Sequence, residues 1–130
     1  MFLVCDKADY REKRIAEFLG KEPEIAVILA ATHFEWTVCR AILFMSKRPN
    51  VELREKMGHY YGLDSYKDLW KEESVLNGER PLAEIVQGWA PFRDAFNLRN
   101  RIIHGRDTCT RNMATPNVQI MLKASRDIQE

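Results

Sequence analysis

From Glu24 to Ser46, residues Ile25, Ile28, Leu29, Thr32, Trp36, Cys39 and Leu43 follow the three- and four-residue spacing that lines one side of a helix. An amphipathic helix of that length is stable only when its apolar side is covered by other elements. The rest of the chain must therefore supply the covering surfaces.

The flanking segments offer helices too. Asp6 to Leu19 is charged and more weakly periodic, with Ile15, Phe18 and Leu19 as its apolar positions, and Gly20 followed by Pro23 marks a stop and a restart. Pro49-Asn50 then breaks the pattern. Val51 to Asn77 holds only short apolar pieces (Leu63, Tyr66, Leu69 and Trp70) interrupted by Gly58 and Gly62, so short helices and turns are expected. Asn77-Gly78-Glu79-Arg80-Pro81 closes this region, with Pro81 placed to be the first residue of the next helix.

From Leu82 the apolar positions run through Ile85, Trp89, Phe92 and Phe96 to Ile103, and Arg99 stands where the stripe would otherwise continue. Pro91 has no backbone donor, which predicts either a kink near Gly88 to Pro91 or a fresh helix at Pro91. Gly105 suits the left-handed conformation that ends a helix, and Asp107 and Thr108 continue the loop. Pro116 to Asp127, with Val118, Ile120, Met121 and Leu122, predicts a final helix less amphipathic than the others. Repeats and extended strand alternation are missing. The expectation is one all-α domain over residues 1–130, an up-and-down four-helix bundle with short extra helices between the second and third long helices.

Composition narrows function. Hydrophobic residues make up 45 % of the 130, enough for one core, while Lys and Arg total 20 against 19 for Asp and Glu. The chain as a whole is no polycation, so any RNA contact must come from a local patch. Cys5, Cys39 and Cys109 are widely spaced, which fits neither a disulfide framework nor a zinc site and suits reduced thiols in a cytosol. Met1-Phe2-Leu3-Val4-Cys5-Asp6 reaches an acidic residue too early for a signal peptide, and no uninterrupted apolar run approaches spanning length, so a cytoplasmic, membrane-free protein is expected.

The segment Arg99-Asn100-Arg101-Ile102-Ile103-His104 carries the chemistry. Asn100 and His104 are one helical turn apart, so the amide can hold one imidazole nitrogen and leave the other free. Arg99 lies about 140° from His104 around a regular helix. The two converge only if the helix end distorts or a second copy of the chain contributes.

An arginine, a polar residue and a histidine four positions beyond the arginine, on an apolar helix from Trp89 that leads to Gly105 and Asp107, resembles the motif of the HEPN superfamily. The resemblance implies a helical bundle and a homodimer whose paired motifs share one groove. It also implies an endoribonuclease that needs no metal or other cofactor and leaves a cyclic phosphate, in a toxin or defence setting with an antitoxin partner. His104 would act as general base or acid, Arg99 would stabilise the phosphate, and Asn100 would orient either. Arg93, Arg101, Arg106 and Arg111, opposed only by Asp94 and Asp107, would track the RNA backbone. The alternative in the same family is a non-catalytic module that dimerises or docks on a nucleotidyltransferase-type protein.

The remaining candidates have plainer readings. His33, with Glu35 nearby, reads as a hydrogen-bonded core histidine, and Arg40 as an exposed arginine. Tyr60 and Tyr61 beside His59 read as turn aromatics rather than base-stacking ones, and Trp36, Trp89, Phe92 and Phe96 as packing residues.

Overall fold

A computed structural model describes residues 7–45, 49–59, 62–73, 80–106 and 108–129. The expectations placed on Met1, Cys5, Asp6, Ser46, Tyr60, Tyr61, residues 77–79 and Asp107 lie outside them. Among the described residues seven helices follow in order: α1 (Ala8–Lys21), α2 (Pro23–Met45), α3 (Asn50–Met57), α4 (Leu63–Glu73), α5 (Leu82–Ile85), α6 (Trp89–Ile103) and α7 (Arg111–Gln129). The long helices α1, α2, α6 and α7 form the expected up-and-down bundle, with α3 to α5 between its second and third members.

The centre of the bundle is α2, which packs on α1, α6 and α7 and, through its C-terminal half, on α3 and α4. Its fully buried residues are Ala26, Val27, Ala30, Ala31, Phe34, Val38 and Ile42. This corrects the sequence reading. Of the expected stripe, Ile25 is exposed and Trp36, Cys39 and Leu43 are only half-buried. Neighbours on several sides make α2 apolar around most of its circumference, and the closest approaches fall on alanines, which periodicity undervalues. Although Glu35 and Arg40 interrupt its apolar run, α2 is, with 23 residues, long and apolar enough by length and composition to cross a membrane.

An aromatic cluster joins α2 to α6. Phe34 and Phe92 have ring centres 4.4 Å apart, and Phe92 lies 5.4 Å from Trp89 and 6.0 Å from Phe96. Each such pair contributes about 0.5–1.5 kcal/mol beyond its buried area. The stripe that begins at Leu82 is broken after α5, where Gly88 takes φ 72°. A new helix starts at Trp89, not at Pro91, and Pro91 falls in its first turn, where no backbone donor is required.

At the other end of α6 the Gly105 N–H bonds to the Ile102 carbonyl (3.0 Å) and the Arg106 N–H to Arg101 (2.8 Å), with Gly105 at φ 68°. This double closure is a Schellman cap. The last helix, α7, starts at Arg111 and carries Pro116 inside it. Around that proline, Thr115 Oγ1 donates to the Arg111 carbonyl (2.8 Å) and Asn117 Nδ2 to Met113 (2.7 Å), so side chains take up carbonyls in the weakened turn. Ala114, Val118, Met121, Leu122 and Ala124 form one buried face. The helix is therefore fully amphipathic, contrary to expectation, because part of its face is alanine.

Candidate functional site

The outward register of α6 is set by Phe92 and Phe96, which face the core and bring Arg99 to the seam with α2. The Arg99 guanidinium lies over the Phe96 ring, 4.6 Å from its centre, and Nη2 donates to Glu35 Oε1. The other Glu35 oxygen accepts from the Tyr66 hydroxyl of α4 at 2.9 Å. One carboxylate thus ties three helices together. The Arg99 side chain is 18 % exposed and that of Glu35 26 %, so the pair is sheltered but keeps an edge to solvent. Arg99 Nε is buried and makes no hydrogen bond. An arginine that interrupts an apolar stripe needs such a partner, because an uncompensated guanidinium at a seam is costly.

The same carboxylate perturbs its neighbours. Burial and the Glu35 charge push the Tyr66 hydroxyl well above the usual phenol range. One turn along α2, burial and Glu35 push the Cys39 thiol to about 11, partly offset by a hydrogen bond with Tyr66. Both groups stay protonated at neutral pH.

His104 caps α6 and is exposed. Its backbone N–H bonds to the Asn100 carbonyl (3.1 Å), and Asn100 is half-buried. Arg99 therefore lies on the inner side of α6, while His104 stands in solvent beyond the last turn. The helix end closes in a regular cap, without a distortion that would turn His104 toward Arg99.

The Arg–His contact that the bundle does contain is a different one. Arg11 Nε of α1 donates to His33 Nδ1 of α2 at 3.0 Å, and the residues are 3 % and 1 % exposed. The Arg11 guanidinium also stacks 3.8 Å from the Trp36 ring centre. Burial first and Arg11 second lower the His33 pKa to about 4, so the ring is neutral and accepts the bond. His33 Nε2 is buried without a hydrogen bond. This agrees with the sequence reading of His33 as a core residue, and its enclosure shuts it off from any substrate.

Arg93, Arg101, Arg106 and Arg111 are all exposed, spread from the first half of α6 through the turn to the start of α7, whose first turn has no acidic residue. Glu24 Oε1 accepts from the Cys109 N–H at 3.4 Å and ties this connection to α2. Arg40 is exposed as expected. Among the described residues no three His, Cys, Asp or Glu side chains cluster as metal ligands would. Sequence reasoning missed Glu35 and Tyr66. Their signal was available: Glu35 is the carboxylate that interrupts apolar α2, as Arg99 interrupts the stripe of α6. No protein-family model, curated protein or solved structure matches this chain.

Proposed function

We propose that the chain is a HEPN-type endoribonuclease, independent of metal, that works in the cytoplasm as a homodimer. His104 takes the proton of a ribose 2′-hydroxyl as that oxygen attacks the adjacent phosphorus. The bond from phosphorus to the leaving 5′-oxygen breaks, an imidazolium (His104 of the second copy) returns a proton to that oxygen, and a 2′,3′-cyclic phosphate remains. Arg99 stabilises the charge that builds on the phosphate oxygens, and Asn100 supports the motif. Arg93, Arg101, Arg106 and Arg111 hold the strand. A toxin or defence enzyme restrained by an antitoxin is the setting this chemistry fits.

The observation that carries the reading is the state of Arg99: a guanidinium held at a helix seam by Glu35, with one edge still open to solvent. The exposed position of His104 on a rigid cap supports it. The commitment of Arg99 to Glu35 equally favours a second reading, a non-catalytic module that dimerises or docks on a nucleotidyltransferase-type partner. An RNA cleavage assay in the presence of chelator separates the two. Wild type is expected to cut, and Arg99→Ala and His104→Ala to lose about 10²–10⁴-fold in rate. Cleavage unchanged in His104→Ala would exclude the mechanism, and an intact dimer that cuts no RNA would establish the second reading.

A further inference from the structure

A cavity of about 820 Å³ lies between α2 and α3, lined in part by Trp36, Cys39, Arg40, Phe44, Arg54 and Met57. Its size falls within the ~300–1,000 Å³ common to small-molecule sites. Three of the seven stripe residues that the sequence assigned to the core, Trp36, Cys39 and Leu43, line this wall. The charged groups among the described lining residues are Arg40 and Arg54, both cationic and both exposed. Cys39 adds no charge, since burial keeps its thiol protonated.

The Arg40 guanidinium lies 4.9 Å from the Trp36 ring centre. A guanidinium laid on an indole keeps its in-plane donors directed away from the ring, where they meet oxygens as a fork. With the exposed Arg54 guanidinium on the same cavity wall, the two cations suit the several oxygens of a phosphate better than a lone carboxylate. Beside them Phe44 is 90 % exposed, an aromatic ring left in water at the cavity wall. Phe44 and the Met57 thioether offer the flat, polarizable contact on which aromatic rings pack.

We propose that this cavity binds an aromatic phosphate of the nucleotide type, with Arg40 and Arg54 on the phosphate and Phe44 and Met57 against the base. A free mononucleotide and one nucleotide unit of an RNA strand present the same chemistry. The RNA source rests on the ribonuclease reading. The free-nucleotide source does not depend on it.

Titration of the whole protein, read by calorimetry and tryptophan fluorescence, tests the assignment with four probes: adenosine monophosphate, adenosine, inorganic phosphate and an uncleavable 2′-O-methyl RNA decamer. The monophosphate is expected to bind, with adenosine and phosphate each weaker by about tenfold or more, as the loss of a charge-assisted contact implies. The Arg40→Gln/Arg54→Gln double variant should lose about tenfold or more in affinity, and Phe44→Ala a few-fold. Far-ultraviolet dichroism checks that these exposed substitutions leave the bundle folded, and inorganic phosphate competing against the monophosphate on wild type gives the same answer without a variant. Competition between monophosphate and decamer assigns the site to RNA, and binding of the monophosphate alone assigns it to a free nucleotide. Absence of monophosphate binding at millimolar concentration, or equal binding by the double variant, overturns the proposal. None of these readouts requires cleavage, so a failure of the ribonuclease reading leaves them intact.

Discussion

Lowering the pH should destabilise this bundle through one buried ring. His33 has a pKa of about 4 in the folded chain against 6.5 when free, mainly because burial disfavours its charged form and secondly because Arg11 donates to it. Between those two values the unfolded chain binds a proton that the native chain refuses. The stability that a neutral His33 permits is therefore complete above pH 6.5 and is lost as pH falls through 4. The loss amounts to about 2 kcal/mol at pH 5 and about 3 kcal/mol once both states are protonated. With a urea slope of about 1–3 kcal/mol per molar, the midpoint should fall by about 1 M between pH 7.5 and pH 5 from this group alone. The comparison is His33→Gln, whose amide oxygen still accepts from Arg11 and which does not titrate. Urea denaturation of both proteins at the two pH values should show a wild-type loss exceeding that of the variant by about 2 kcal/mol. Equal pH dependence in the two proteins, or a His33 ring that titrates near 6.5 by NMR, would refute the argument.

Glu35→Gln should destabilise the protein by about 1–3 kcal/mol, because Arg99 is left uncompensated at the seam, and Tyr66→Phe by about 1 kcal/mol. The double variant should fall short of the sum, since both changes act on one carboxylate; strict additivity in urea denaturation would show that the groups do not share it. Gly105→Ala should cost about 1–2 kcal/mol by thermal denaturation, as φ 68° disfavours a side chain although no atom lies within 4 Å of the added carbon. Cys39, with its thiol at about 11, should react with iodoacetamide at neutral pH more than about tenfold slower than a free cysteine thiol, followed by mass spectrometry.

The parts of the fold legible in the sequence are those where a pattern and a break coincide. Phe92, Phe96 and Arg99 on one stripe, closed by Gly105, announce α6 and its terminus, and the bundle beneath them follows from few strand signals and several helical ones. The face of α2 was not legible. A helix enclosed on several sides carries apolar residues on all of them, and the alanines that permit close packing look neutral in a periodicity count. The start of α7 was hidden by Pro116, which reads as a boundary although Thr115 and Asn117 support the turn around it. In the candidate site, Arg99 stood out as a charge in the wrong place, but its partner Glu35 lies 64 residues away, and only folding brings the two together. The link from Arg11 to His33 is of the same kind, joining α1 to α2 inside the core.

The apolar girth of α2 also sets the order in which the chain becomes safe from aggregation. Met45 is synthesised long before α6 and α7, which end at Ile103 and Gln129 and supply much of its cover. At ribosomal speeds of about 5–20 residues per second, α2 spends several seconds outside the exit tunnel with α1 as its main shield. During that interval it presents chaperones and targeting factors with the same greasy surface as a membrane anchor. A ribosome stalled between α2 and α7 would hold a nascent chain fit for holdases or proteases, and the emergence and docking of α7 is the step that withdraws α2 from their reach.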